Sequence, residues 1–217
     1  MAVIPWFEGI FESNGFAVSH LHIEGWGHLG LFGQVMAEAR VVNLSVLETT
    51  IIGSGDCVGG LAGLDRGTLS GCCSTGVVVG HSGVGGLIGS NEWNGVANNC
   101  YATGDVAGGT LAGGLLGINW GKITACYSTG AVAGSPTIGG LVGQNQQEMA
   151  RCFWDMVSSR QVRQTDGVGK ATAEMQTAST FLDAGWDFVG ETENGTEDIW
   201  WINEGKDYPR LWWEFDD

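Results

Sequence analysis

Short apolar runs recur along this chain at a fixed interval, each closed by glycine and followed by a polar corner. The clearest pair begins with Cys100-Tyr-Ala-Thr-Gly104, which leads to Gly113-Gly-Leu-Leu-Gly117 and Asn119. Its near-copy runs Cys126-Tyr-Ser-Thr-Gly130, Gly139-Gly-Leu-Val-Gly143 and Asn145. Cys100 to Cys126 and Gly113 to Gly139 are each 26 residues. Self-similarity at such a period marks a solenoid, whose repeats bury their apolar faces only by stacking on one another. A 26-residue coil has room for three short strands and three turns. Ile123, Val132, Ile138 and Leu141 then read as interior positions. Successive coils would lie about 4.8 Å apart, so that like residues stack on like.

Three columns follow from the register. Gly59-Gly-Leu-Ala-Gly63, Gly85-Gly-Leu-Ile-Gly89 and the two later copies form one. Cys72, Cys100, Cys126 and Cys152 form another, with Val46 at the equivalent place in the coil before. Asp65, Asn91, Asn119 and Asn145 form the third. Two readings of that third column stay open: a ladder of side-chain amides, or Asn tolerating a left-handed turn. The cysteine spacings are 28, 26 and 26, and Asn91-Glu-Trp-Asn-Gly95 is placed to absorb the two extra residues in a corner loop.

Residues 1–33 read as a degenerate first coil, with Asn14-Gly15 as a turn signal and His20-Leu-His-Ile-Glu-Gly25 as a half-buried strand. Gly30-Leu-Phe-Gly33 takes the place of the later Gly-Leu-x-Gly elements. The next interval, Gly33 to Val46, is four residues longer than the norm, which predicts a short helical bulge over Val35-Met-Ala-Glu-Ala-Arg40.

The pattern changes after Cys152. Phe153-Trp-Asp155 starts like a coil, and Ser158 to Gly169 reads as a polar loop. One helix is predicted over Thr172–Asp183, capped by Thr172 and ended by Gly185, with Met175, Ala178, Phe181 and Leu182 on one face. That face, with Trp186-Asp-Phe188, Ile199-Trp-Trp-Ile202 and Tyr208-Pro-Arg-Leu-Trp-Trp213, predicts a cap over an open end of the solenoid. The expected organisation is repeats over 1–152, with 34–152 the regular part, and a continuous cap over 153–217.

Composition supports this picture and excludes others. Glycine is high at 38 residues and proline low at 3, which suits tight turns between strands rather than collagen or a linker. Only 15% of residues are charged, yet the net charge is −15. Such a surface repels nucleic acid and anionic membranes, and no run is apolar enough to span a bilayer. The first residues carry no export signal, and the expectation is a piece of a longer exported chain, secreted or at the cell surface.

The Gly-Gly-Leu-x-Gly-x-Asn element at 113–119 and 139–145, joined to Cys-Tyr-x-Thr-Gly at 100–104 and 126–130, resembles the GLUG repeat. That repeat occurs in large exported bacterial proteins, among them adhesin-like surface proteins and some IgA-specific metallopeptidases. The tail, with Gly185-Trp-Asp-Phe188 and Tyr208-Pro-x-Leu-x-Trp213, is similar to what closes such arrays. The resemblance implies an all-β fold, a right-handed parallel β-helix of three-strand coils, in an extracellular setting. It does not imply proteolysis here, because His20, His22, His28 and His81 never form His-Glu-x-x-His. The coil at 59–72 departs from the pattern, with Asp65 in place of Asn and Cys73 where Tyr101 and Tyr127 stand.

The residue chemistry yields few candidates and no catalytic residue. Periodic cysteines would stack with parallel side chains and read as buried free thiols, with no Cys-x-x-Cys pair for zinc. A carbohydrate-active β-helix enzyme, lyase or hydrolase, is the alternative of another class, but Asp105 stands level with Val77 and Ala131, and Asp65 and Glu92, near coil spacing, lack a basic partner beyond Arg66. Trp93 and Trp120 follow Asn91 and Asn119 at one corner of adjacent coils. Such a strip can stack on sugar rings, so the expected role is structural and adhesive, with a surface glycan or another protein as partner. The alternative for the two indoles is packing against the inserted loop or a neighbouring molecule. No cofactor is expected, and structural calcium is placed, if anywhere, near Asp166 or within Glu191–Asp198.

Overall fold

The computed structural model of the chain describes residues 1–162 and 167–215. Among the described residues three sheets form a parallel β-solenoid, and a two-stranded antiparallel sheet, Trp200–Trp201 with Arg210–Leu211, lies in the tail. The first sheet stacks Phe32–Val35, Ala62–Asp65, Ile88–Asn91, Leu116–Asn119 and Val142–Asn145. The second stacks Ile10–Glu12, Arg40–Val42, Thr68–Ser70, Val96–Asn98, Lys122–Thr124 and Met149–Ala150. The third has 12 strands and is built round long members such as Cys73–Gly85, which pairs with both Ser45–Gly53 and Asp56–Gly59.

The register follows the repeat. Tyr101 pairs with Tyr127 and Gly113 with Gly139, 26 residues on, while Asn91 pairs with Asn119, 28 on. Asn91 lies level with Asp65 but Val96 with Thr68, so the two extra residues do sit in the corner 92–95. The glycine column has a steric cause. A Cβ on Gly86 would stand 2.3 Å from the Gly114 carbonyl, and one on Gly114 would stand 2.3 Å from that of Gly140. Backbones approach so closely there that only glycine fits.

The long first interval is organised otherwise than the spacing predicts. Residues 36–39 form a turn, not a helix, because only two of the four extra residues fall there. The offset between coils falls from 30 at Phe32–Ala62 to 28 at Arg40–Thr68. It then falls to 27 at Thr50–Val77 and to 26 at Asp56–Ser82. Two residues are shed at the 36–39 turn, one at a bulge between Val46 and Thr49, and one between Ile52 and Asp56. In consequence Ser45 pairs with Cys73, so Leu44 rather than Val46 stands above Cys72. Asn14 and Gly15 do turn, with φ of 53° and 84°, but the strands they join enter different sheets.

A feature that spacing did not show precedes the cysteine column. Asn43, Gly71, Asn99, Ala125 and Arg151 all have φ between 51° and 60°. This left-handed corner directs the following Leu44 or Cys inward in every coil. Asn and Gly adopt it readily, whereas Ala125 and Arg151 do so at a cost of about 1 kcal/mol each.

Two cores run along the solenoid. The larger holds Leu61, Leu87, Leu115 and Leu141 with Ile123 and the four cysteines, and Trp154 closes it. Val132 and Ile138, expected in the same interior, belong to a second core with Val78, Val84 and Val106.

The tail departs most from expectation. The single helix over 172–183 is two: after α1 (Met156–Ser159) come α2 (Thr172–Met175) and α3 (Ala178–Leu182). Between them Thr177 is extended, and the Ala178 N–H donates to the Glu204 carboxylate at 2.9 Å, which starts α3 afresh. Ala171, not Thr172, occupies the N-cap of α2. From Met175 onward the tail lies along a side wall, while Trp154 and the strand Val168–Lys170 close the end. Met175, Phe181, Trp186, Trp200, Leu211 and Trp213 cluster with Cys73, Tyr101, Tyr127 and Phe153, one residue from each of four coils. Burying a side chain of this size contributes about 1.5–3 kcal/mol, so the wall stabilises the coils laterally.

Candidate functional site

The expected corner strip forms. Trp93 sits in the lengthened corner, where the Gly95 N–H donates to the Glu92 carbonyl at 2.7 Å. Trp120 is held one coil on by its own N–H donating to the Asn91 carbonyl at 2.7 Å. The two indoles have centroids 5.2 Å apart at an interplanar angle of 32°. Trp93 is 66% exposed and Trp120 half-buried. The inserted residues therefore lift one indole into solvent beside its neighbour.

Beneath that corner lies the amide column. Asn91 Nδ2 donates to Asn119 Oδ1 at 2.8 Å, and Asn119 Nδ2 donates to Asn145 Oδ1 at 2.7 Å. Asn91 and Asn119 are fully buried and have no left-handed φ, which settles the ladder against the turn reading. Asp65 heads the column, wholly buried, and accepts the Gly67 N–H at 2.9 Å. Burial pushes its carboxyl up from the usual range to about 7, against the smaller lowering effect of that hydrogen bond.

All six cysteines are free thiols. Cys72, Cys100, Cys126 and Cys152 are buried, and their Sγ–H groups are directed at carbonyls, as from Cys100 to Asn98 at 3.1 Å and from Cys126 to Thr124 at 3.2 Å. Burial drives the Cys72, Cys100 and Cys126 thiols well above their ordinary value, so these three are poor sources of a thiolate nucleophile. Cys73, off the column, faces the tail instead and lies 2.9 Å from Ser45 Oγ.

One cleft escaped the sequence because it needs the tail to return along the wall. It encloses about 460 Å³ between a threonine column (Thr75, Thr103) with Tyr101 and the tail residues Asp207, Tyr208 and Glu214. Its acids are engaged, whereas the buried Trp213 Nε1 has no hydrogen-bond partner. Glu214 accepts from Tyr101 Oη at 2.8 Å and from the Leu211 N–H at 2.9 Å, Arg210 holds Asp207 at 2.7 Å, and Tyr208 Oη donates to Asp155 at 2.7 Å. The cleft is the seam of tail and wall. The sequence signal for it was the acid inside Trp212-Trp-Glu-Phe215.

Other acids that the sequence singled out accept backbone N–H groups. Asp105 accepts the Ala131 N–H at 3.0 Å. Within 191–198, Glu191 accepts from Glu193 and Asn194, and Asp198 from Gly190. Among the described residues no three His, Cys, Asp or Glu side chains are grouped to hold a metal ion. Asp166 lies outside the described residues. His20, His22 and His81 pair separately with Glu48, Glu24 and Asp56. No helix among the described residues is long and apolar enough to cross a membrane.

Comparison with known proteins agrees with this architecture. Halomucin of Haloquadratum walsbyi is 37% identical over 92 residues, which is 42% of this chain and 1% of that protein. A solved Bacteroides ovatus structure, described as a proposed immunoglobulin A1 protease, superposes with a TM-score of 0.61 at 17% identity. It covers 94% of this chain and 77% of that one. At that identity the likeness shows the shared fold alone. No protein-family model matches the chain.

Proposed function

We propose that this chain is a non-enzymatic, adhesin-like solenoid segment of the GLUG-repeat kind, displayed outside the cell, which holds glycan at the Trp93–Trp120 corner. The observation that carries the reading is the pair of indoles 5.2 Å apart on adjacent coils, with Trp93 open to solvent. Aromatic faces bury the apolar face of a pyranose at little entropic cost, since an indole has only two rotatable bonds. The stretch shared with halomucin supports a repeat unit of a surface-type protein. The acidic surface, at net charge −15, favours neutral over acidic polysaccharide.

The test is a glycan array with the parent chain and with Trp93→Ala and Trp120→Ala. Loss of at least tenfold in affinity in either variant, with melting unchanged, supports the strip. Parent-level binding in both variants overturns it. Release of reducing ends from polysaccharide by the parent chain would instead establish the carbohydrate-active enzyme.

A further inference from the structure

The amide ladder lacks one proton at its head. Asn119 shows how a complete rung is bonded. Asn119 Oδ1 accepts the N–H two residues on, from Gly121 at 3.2 Å, while its Nδ2 donates to the next coil's Oδ1 at 2.7 Å. Asp65 obeys the first half, because its Oδ1 accepts the Gly67 N–H at 2.9 Å. Its Oδ2 therefore occupies the place of the amide nitrogen. Asp65 pairs in register with Asn91, and Asn91 Nδ2 is spent on Asn119, which leaves Asn91 Oδ1 to face the rung before it. Asp65 Oδ2 and Asn91 Oδ1 are both buried, and both are without a hydrogen-bond partner. Two buried acceptors on neighbouring rungs repel each other unless a hydrogen lies between them.

We propose that Asp65 is held as the neutral carboxylic acid, its Oδ2–H donating to Asn91 Oδ1, so that the ladder is a proton-dependent lock beneath the Trp93 corner. Glu92, which opens that corner, is itself tied to this residue through its N–H to the Asp65 carbonyl at 2.8 Å. Ionisation would place a carboxylate against the Asn91 carbonyl oxygen and break the first rung.

No charged neighbour replaces the proton. Glu38 and Arg40 flank the corner of the preceding coil and are exposed, Arg66 follows Asp65 in the chain, and Glu92 belongs to the next coil. The carboxyl's rise to about 7 comes first from burial. The sign follows from linkage. An acid whose folded value is raised contributes its full stability below its unfolded value, about 4, and that stability is lost as pH climbs to about 7.

Asp65→Asn supplies the missing donor as an amide of the same shape and does not titrate. Thermal melting of the parent and of Asp65→Asn between pH 4 and pH 8 tests the lock. The two should melt together near pH 4, and the variant should melt higher by roughly 8–16 °C at pH 8. An infrared difference spectrum at pH 6 should show a protonated carboxyl C=O band in the parent that Asp65→Asn lacks. A melting difference that stays constant with pH, or no such band, overturns the proposal. Asp65→Ala is the control: it leaves Asn91 Oδ1 unpartnered at every pH and should melt low throughout.

Discussion

The first coil and the last of this solenoid are finished in opposite ways. At the last, Trp154 fills the interior and is fully buried, and Val168–Lys170 adds a further strand to Phe153–Asp155. At the first, Phe7, Phe11 and Phe32 pack together inside, yet Ile10, Phe16 and Trp26 are 69%, 77% and 77% exposed. The strand Ile10–Glu12 is the outermost of its sheet, with partners on one side only. The contrast shows that closing a solenoid takes more than a strand. One large side chain must enter the core, and the exposed backbone must find partners.

The comparison breaks most severely if the tail is removed. A chain ending at residue 170 uncovers Tyr101, Tyr127 and Phe153, all now buried, along the wall. We expect loss of cooperative melting and binding of a hydrophobic dye; a sharp transition within a few degrees of the parent would show that the coils stand alone. Next in size is Trp154→Ala, which empties the plug against Gly140. Denaturant titration should show a loss of about 3–5 kcal/mol. Smallest is the double change Phe16→Lys, Trp26→Lys at the open coil. Stability should stay within about 0.5 kcal/mol, while any self-association seen by sedimentation should fall. A large destabilisation there would mean that these residues pack more tightly than their exposure shows.

Much of the fold was legible because a solenoid writes its contacts into its period. Residues 26 apart in sequence are neighbours in space, so the glycine, cysteine and asparagine columns were visible before any coordinates. The misplacement of Val46 had a physical cause. Extra residues can be shed at any corner where a turn tolerates them, and spacing records only their sum. The left-handed column was hidden where Ala125 and Arg151 hold a conformation their type does not advertise. The Trp93–Trp120 pair was legible as a spacing, though not the exposure that distinguishes its two members.

Local pattern by itself determined the coil, its stacking, the buried cysteines and the residues at the aromatic corner, since each depends on neighbours one period away. Tertiary structure alone decided where the tail lies and which groups along the wall hydrogen-bond to its acids. Those outcomes rest on contacts such as Glu214 to Tyr101, 113 residues apart. A repeating pattern fixes how one coil meets the next, but not how a non-repeating segment returns across all of them.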